Sequence, residues 1–217
     1  MEFLIFIIVI LVVWLIVKPK NQSVTIGYKK QQALQQINHT IRQILTDNTV
    51  ILDTETTGLG HHHQVIEICI LDRYGNCLLD TYVKPKRKMG QYNQAVAIHG
   101  ITNEMLENAP TWDKIHQQVC EILQGKMVLA YNAPFDLRLL EQTMKKYDLS
   151  MPDCTFECAM NVYTAYRMIE NNEQPQRYKL TEACYHLGIV PQGQTHRAYM
   201  DCMMTLKLLN TIEQRTR

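Results

Sequence analysis

Between Thr49 and Val83 three short β-rich runs follow one another with no room for a helix between them: Val50 to Thr54, Val65 to Leu71 and Leu78 to Val83. Arg73-Tyr74-Gly75-Asn76 supplies a turn between the second and third, so the three runs predict an antiparallel meander. Strand–helix alternation then takes over. Residues 94–124 read as helical with Thr111 as an N-cap, and Met127 to Tyr131 is a strand. Pro134 opens a helix where its missing N–H costs nothing. Two helical stretches cover about 157–187, and a last helix runs from about Ala198 to the end. A meander followed by strand–helix units predicts an α/β fold, a mixed sheet flanked by helices.

The chain of 217 residues is long enough for a sizeable core, and 46% hydrophobic with 20% charged residues excludes a wholly disordered chain. Charge nearly cancels, 22 basic against 21 acidic residues, so bulk charge points to no nucleic-acid partner and local residues must carry any such case. The seven cysteines form no CxxC pair and sit in apolar segments. They read as small buried hydrophobes in a reducing compartment, not as a disulfide framework or a zinc site.

Residues Phe3 to Val17 are apolar without interruption. A helix of that length spans roughly 22 Å, short of about 30 Å of hydrocarbon, although the stem of Lys18 can extend it. A cleaved signal peptide would have basic residues before the run and small residues at its end; here Met1-Glu2 precedes it and Lys18-Pro19-Lys20 follows. A core helix is rarely apolar on every side. The run therefore predicts a transmembrane anchor, and lysines only on its C-terminal side put the rest of the chain in the cytoplasm as a single-pass membrane protein. Residues 18–28 read as a tether. Over residues 29–45, Leu34, Ile37, Ile41, Ile44 and Leu45 recur at helical spacing, which predicts an amphipathic helix packed on the domain; a helix lying at the membrane surface is the alternative.

Acidic residues occupy places that usually exclude them. Asp53 and Glu55 alternate in the first strand, so both carboxylates leave the same face. Asp136, in Asn132-Ala133-Pro134-Phe135-Asp136, is spaced with Leu139, Leu140 and Thr143 on an inward helical stripe. Asp201 is spaced likewise with Met204, Thr205 and Leu208. A single such Asp would read as a turn or first-turn residue. Four carboxylates aimed inward from three segments repel one another unless a cation joins them, and hard oxygen ligands call for Mg²⁺ or Mn²⁺. His196 precedes the last helix on a loop, where an imidazole beside a metal can take a proton near neutral pH. The basic run Lys84, Lys86, Arg87, Lys88 reads equally as a phosphate track or a solvated loop, and His61-His62-His63 reads as a polar turn rather than a metal site, because adjacent histidines in a loop do not converge.

The runs ILDTETTGL (51–59), IHGIT (98–102), NAPFD (132–136) and HRAYMD (196–201) resemble, in this order, the motifs of the DEDDh family of 3′→5′ exonucleases, over about residues 48–212. The likeness is strongest to the epsilon proofreading subunits of bacterial DNA polymerase III. The resemblance implies a ribonuclease H-like mixed five-stranded sheet flanked by helices. With the anchor added, the chain divides into 1–17 (transmembrane anchor), 18–47 (tether and amphipathic helix) and 48–217 (exonuclease domain). It implies Asp53, Glu55, Asp136 and Asp201 as ligands of two Mg²⁺ or Mn²⁺ ions and His196 as general base. Thr56, Leu59, His99 and Phe135 would meet the terminal nucleotide. The implied reaction is release of nucleoside 5′-monophosphates from 3′ ends, with single-stranded DNA as substrate. The alternatives are an RNA-processing exonuclease of the same fold and an inactive membrane-tethered nucleic-acid-binding module. Expected partners are nucleic acid 3′ ends, the membrane, and a replication or repair protein whose identity the sequence does not give.

Overall fold

The computed structural model describes residues 23–90, 93–191, 193 and 196–217. Five strands form one mixed sheet: β1 (Thr49–Thr56), β2 (Val65–Asp72), β3 (Cys77–Tyr82), β4 (Met127–Ala130) and β5 (Thr155–Cys158), in the order β3-β2-β1-β4-β5. The meander is antiparallel, while β4 runs parallel to both β1 and β5. The hairpin turn between β2 and β3 is set by Asp72, whose Oδ1 accepts the N–H groups of Tyr74 and Asn76. Seven helices are described: α1 (Ser23–Ile44), α2 (Gln94–His99), α3 (Trp112–Leu123), α4 (Ala133–Lys145), α5 (Ala159–Asn171), α6 (Leu180–His186) and α7 (Ala198–Arg215). The helical stretch expected over 94–124 is broken: Gly100 adopts a left-handed conformation (φ 73°) that caps α2, and turns follow until α3.

Strand alternation sorts the core into two layers. Ile51, Cys69, Leu71 and Leu129 pack with α1, α5, α6 and α7. Val50, Leu52, Ile68, Ile70, Leu79, Val128 and Ala130 pack with α3 and α4 on the other face. In β1 the face that carries Ile51 also carries Asp53 and Glu55, and it is the face that α7 crosses.

The stripe Ala33, Ile37, Ile41, Ile44 and Leu45 is buried in the first layer, so α1 is a helix of the domain surface, and it begins inside the segment expected to be a tether. Polar contacts fasten it: Asn38 Nδ2 donates to the Glu213 carbonyl (2.7 Å) and Lys30 Nζ to the Glu170 carbonyl (2.8 Å).

The membrane expectation is corrected. Among the described residues no helix is long and apolar enough to cross a membrane. The run Phe3–Val17, on which the transmembrane helix, the membrane partner and the single-pass cytoplasmic placement were built, lies outside the described residues. Its roughly 22 Å already fell short of a span. The long helix that is described, α1, spends its apolar stripe on α5 and α7.

Candidate active site

β1 continues through Glu55 to Thr56, so neither Asp53 nor Glu55 lies in a turn. Both are half-buried on the face under α7, whereas Thr54 and Thr56 are buried on the other. Asp136 arrives round the end of the sheet. β4 pairs with β1 only as far as Ile51, opposite Leu129, and leaves the edge of β1 beyond it without a strand partner. Asp136, at the start of α4 and 3% exposed, takes that place: its Oδ1 accepts the Thr54 N–H (3.1 Å) and hydroxyl (2.8 Å). Asp201 descends from the first turn of α7. One ligand atom each from Glu55, His196 and Asp201 lie within 4.8 Å of one another. The site thus opens at the carboxyl ends of the parallel strands β1 and β4, where open α/β sheets bind ligands.

The electrostatics are those of a crowd of like charges. Burial, then Asp136, Asp201 and Glu55, push the Asp53 carboxyl well above its usual range. Burial, then Asp201, Glu67 and Asp136, push Glu55 up to about 8. Burial carries Asp136 to about 7 against the hydrogen bonds from Thr54. Asp201 reaches about 6, raised by burial and held back by His196, whose backbone N–H it accepts. The other Asp201 oxygen, Oδ1, is buried and has no hydrogen-bond partner among the described residues. Buried carboxylates are ordinarily paired or coordinate a metal. A bare oxygen on Asp201, grouped with Glu55 and His196 and near two further carboxylates, Asp53 and Asp136, fits a divalent cation with oxygen ligands.

His196 is exposed, with a left-handed backbone (φ 60°) unusual outside glycine. The remaining expected residues surround the turn after β1. Leu59 is 73% exposed. Phe135, half-buried, carries the Arg138 guanidinium 5.4 Å from its ring centroid. His99 is 2% exposed: its Nδ1 accepts the Ile101 N–H (2.9 Å), which leaves Nε2 to donate to the Thr56 carbonyl (3.2 Å). It therefore sits beneath the turn and not on the open surface with Leu59.

An exonuclease model, RNase_T, matches residues 50–209. The chain belongs to that family. It is 38% identical over 188 residues, 81% of this chain and 93% of the relative, to the uncharacterized exonuclease CP81 of Escherichia phage 186. It is 32% identical to the DNA polymerase III subunit epsilon of Pasteurella multocida, over 76% of this chain and 65% of that protein, so it spans less than two thirds of the subunit. Among solved structures, exonuclease X in complex with 5′ overhanging duplex DNA is 25% identical with a TM-score of 0.57, covering 77% of this chain and 92% of that one. The nuclease domain of 3′hExo, a DEDDh family member bound to rAMP, shares the fold (TM-score 0.62, 17% identity, 76% and 92% covered). The resemblance read from the sequence holds, and the chain is a nuclease of a family that works with divalent metals.

Several residues around this exonuclease site are not assigned to it by the sequence. Thr54 holds Asp136. His63 bonds Thr57 Oγ1 through Nδ1 (3.0 Å) and covers Gly58, where a Cβ would lie 2.5 Å from the ring. The buried Glu67 pairs with the half-buried Arg197. Glu67 was legible by the argument used for Asp53, a lone acid in the apolar run VIEICILD. In the basic loop, Lys84 donates to the Glu107 carbonyl, and Lys86 donates to the Lys146 carbonyl and stacks on Tyr147, so two of its four cations are engaged locally.

Proposed function

We propose that this nuclease is a DEDDh-type 3′→5′ exonuclease that hydrolyses the terminal phosphodiester bond of nucleic acid, single-stranded DNA before others, and releases nucleoside 5′-monophosphates. The observation that carries the reading is the convergence of Asp53, Glu55, Asp136 and Asp201 with a buried, bare Asp201 Oδ1 beside His196. Asp53, Glu55 and Asp201 would hold one Mg²⁺ or Mn²⁺ ion, and Asp53, supported by Asp136, a second. Such a pair, when bound, stabilises the attacking and leaving oxygens of an in-line displacement.

The chain's own residues do the rest. A ring nitrogen of His196 accepts the proton of the attacking water as its oxygen bonds to phosphorus. The bond from phosphorus to the 3′ oxygen of the preceding nucleotide breaks, and that oxygen takes up a proton from solvent. Thr54 keeps the Asp136 carboxylate in place. Leu59 and Phe135 offer apolar surface to the terminal nucleotide, with Thr56 and His99 fixing the turn between them. The likeness to a DNA polymerase III subunit supports a replication or repair protein as partner.

The test is digestion of matched single-stranded DNA and RNA oligonucleotides labelled at the 5′ end, with Mg²⁺, with Mn²⁺ and with chelator. The expected result is a metal-dependent ladder shortening from the 3′ end, faster on DNA. Faster RNA digestion would transfer the reading to an exoribonuclease, and binding without cleavage in either metal would sink it.

A further inference from the structure

Arg197 stands between His196 and α7, and its side chain is locked from two elements. Its Nε donates to Glu67 Oε1 and Oε2 (3.1 and 3.2 Å), and its Nη2 donates to Glu67 Oε1 (2.7 Å) and to the Tyr82 hydroxyl (2.6 Å). The guanidinium carbon lies 5.2 Å from the Tyr82 ring centroid. Glu67 is 3% exposed, and its Oε2 also accepts the Ala198 N–H (3.1 Å), one of the free donors of the first turn of α7. Glu67 lies opposite Glu55 in the register of β1 and β2. One strand pair thus carries a carboxylate of the active site and the anchor of the segment that brings His196 and Asp201 to it.

We propose that Arg197, clamped by Glu67 and Tyr82, is the positioning residue that sets the His196 imidazole against Asp201 and Glu55. The inference rests on the exonuclease reading above, in which His196 is the base. His196 is exposed, so its direction follows from its backbone more than from side-chain packing. That backbone is held in a left-handed conformation, which costs energy outside glycine and persists where its surroundings enforce it. Two tethers do so: the Asp201 carboxylate takes the His196 N–H, and the next residue, Arg197, is fixed to β2 and β3. Lysine would keep the charge of Arg197 but not the planar fork that engages both Glu67 oxygens and the Tyr82 hydroxyl together.

A simple staple between α7 and the sheet would share this geometry, and a double-mutant comparison separates the two roles. Single-turnover cleavage of a 5′-labelled strand, oligonucleotide affinity and thermal midpoint are measured for the wild type, Arg197→Lys, His196→Ala and the double variant. Arg197→Lys should slow cleavage by ~10–10²-fold, as a misplacement on the scale of an ångström does, with affinity unchanged. In the His196→Ala background the same substitution should cost nothing further, because the group it positions is gone. Equal slowing in both backgrounds, or an undiminished rate in Arg197→Lys, would overturn the inference. If Arg197→Lys does not fold, Tyr82→Phe removes a single bond of the clamp and should show a smaller slowing that also vanishes without His196; a slowing that persists would overturn the inference. A wild type that cleaves neither DNA nor RNA removes the exonuclease reading and this inference with it, and that result is read before any variant is made.

Discussion

Glu55 and Glu67 face each other across β1 and β2, one pair of neighbours in the strand register, and the fold treats them in opposite ways. Glu67 receives the Arg197 guanidinium through both oxygens and the N–H of Ala198 as well. Burial, then Asp201, Glu67 and Asp136, push the Glu55 carboxyl up to about 8 against the opposing influence of Arg197. Burial alone does not decide the outcome, since Glu67, the more deeply buried of the two, is the one with its partners in place. What differs is the supply of positive charge: the chain provides a guanidinium for one glutamate, and the other, with its three aspartates, is where the proposed divalent cation would supply it.

The largest effects are expected at the aspartates. Asp53→Ala or Asp201→Ala should reduce hydrolysis to background, while the metal-free thermal midpoint holds or rises, because each removes a ligand and also relieves like-charge crowding. Turnover near wild type in saturating Mg²⁺ would end the metal assignment. Next in size, His196→Ala should slow single-turnover cleavage by ~10²–10⁴-fold, the range of a general base, with oligonucleotide binding retained. A change of less than a few-fold would leave His196 a solvated loop residue.

The glutamates sharpen the contrast through stability. Glu67→Ala should destabilise the protein by about 1–3 kcal/mol in urea titration, the cost of stranding the donors that the carboxylate satisfied. Glu55→Gln should do the reverse, by a smaller amount and with a size set by pH. The Glu55 carboxyl rises from 4.5 to about 8 on folding, so the folded protein holds that proton more tightly than the unfolded chain. The stability this contributes is fully present below about pH 4.5 and is lost as pH rises through about 8. In thermal melts without metal, Glu55→Gln should therefore match the wild type in acid and exceed it increasingly towards alkaline pH, and Mg²⁺ should close the gap. Parallel melting curves at every pH would show that Glu55 is not held under electrostatic pressure.

Local periodicity made the carboxylates readable. Asp53 and Glu55 showed by alternation in a strand, and Asp136 and Asp201 by sharing helical stripes with Leu139, Thr143, Met204 and Leu208, all of which are buried. What stayed hidden depends on contacts remote in sequence. Glu67 was visible as a lone acid, but Arg197 lies 130 residues away. β5, four residues long, exists because β4 pairs with it, and so short a run carries little pattern of its own. His99 read as a nucleotide contact because its motif resembles one; that both its ring nitrogens serve backbone groups follows from how the turn folds over it. The Phe3–Val17 run is strong in hydropathy and weak in length, and a membrane span needs both.

Four successive carbonyls, from the last residue of β1 into the turn that follows, are each taken. His99 Nε2 donates to that of Thr56, Asn93 Nδ2 to Thr57, Thr56 Oγ1 to Gly58 and Arg138 Nη2 to Leu59. The conformational entropy of this segment is therefore surrendered when the chain folds and not when a ligand arrives. If a strand end meets Leu59 as proposed above, it would encounter a surface already cast, with little loop motion to recruit, so that a terminus of the right shape would keep most of the free energy of its contacts.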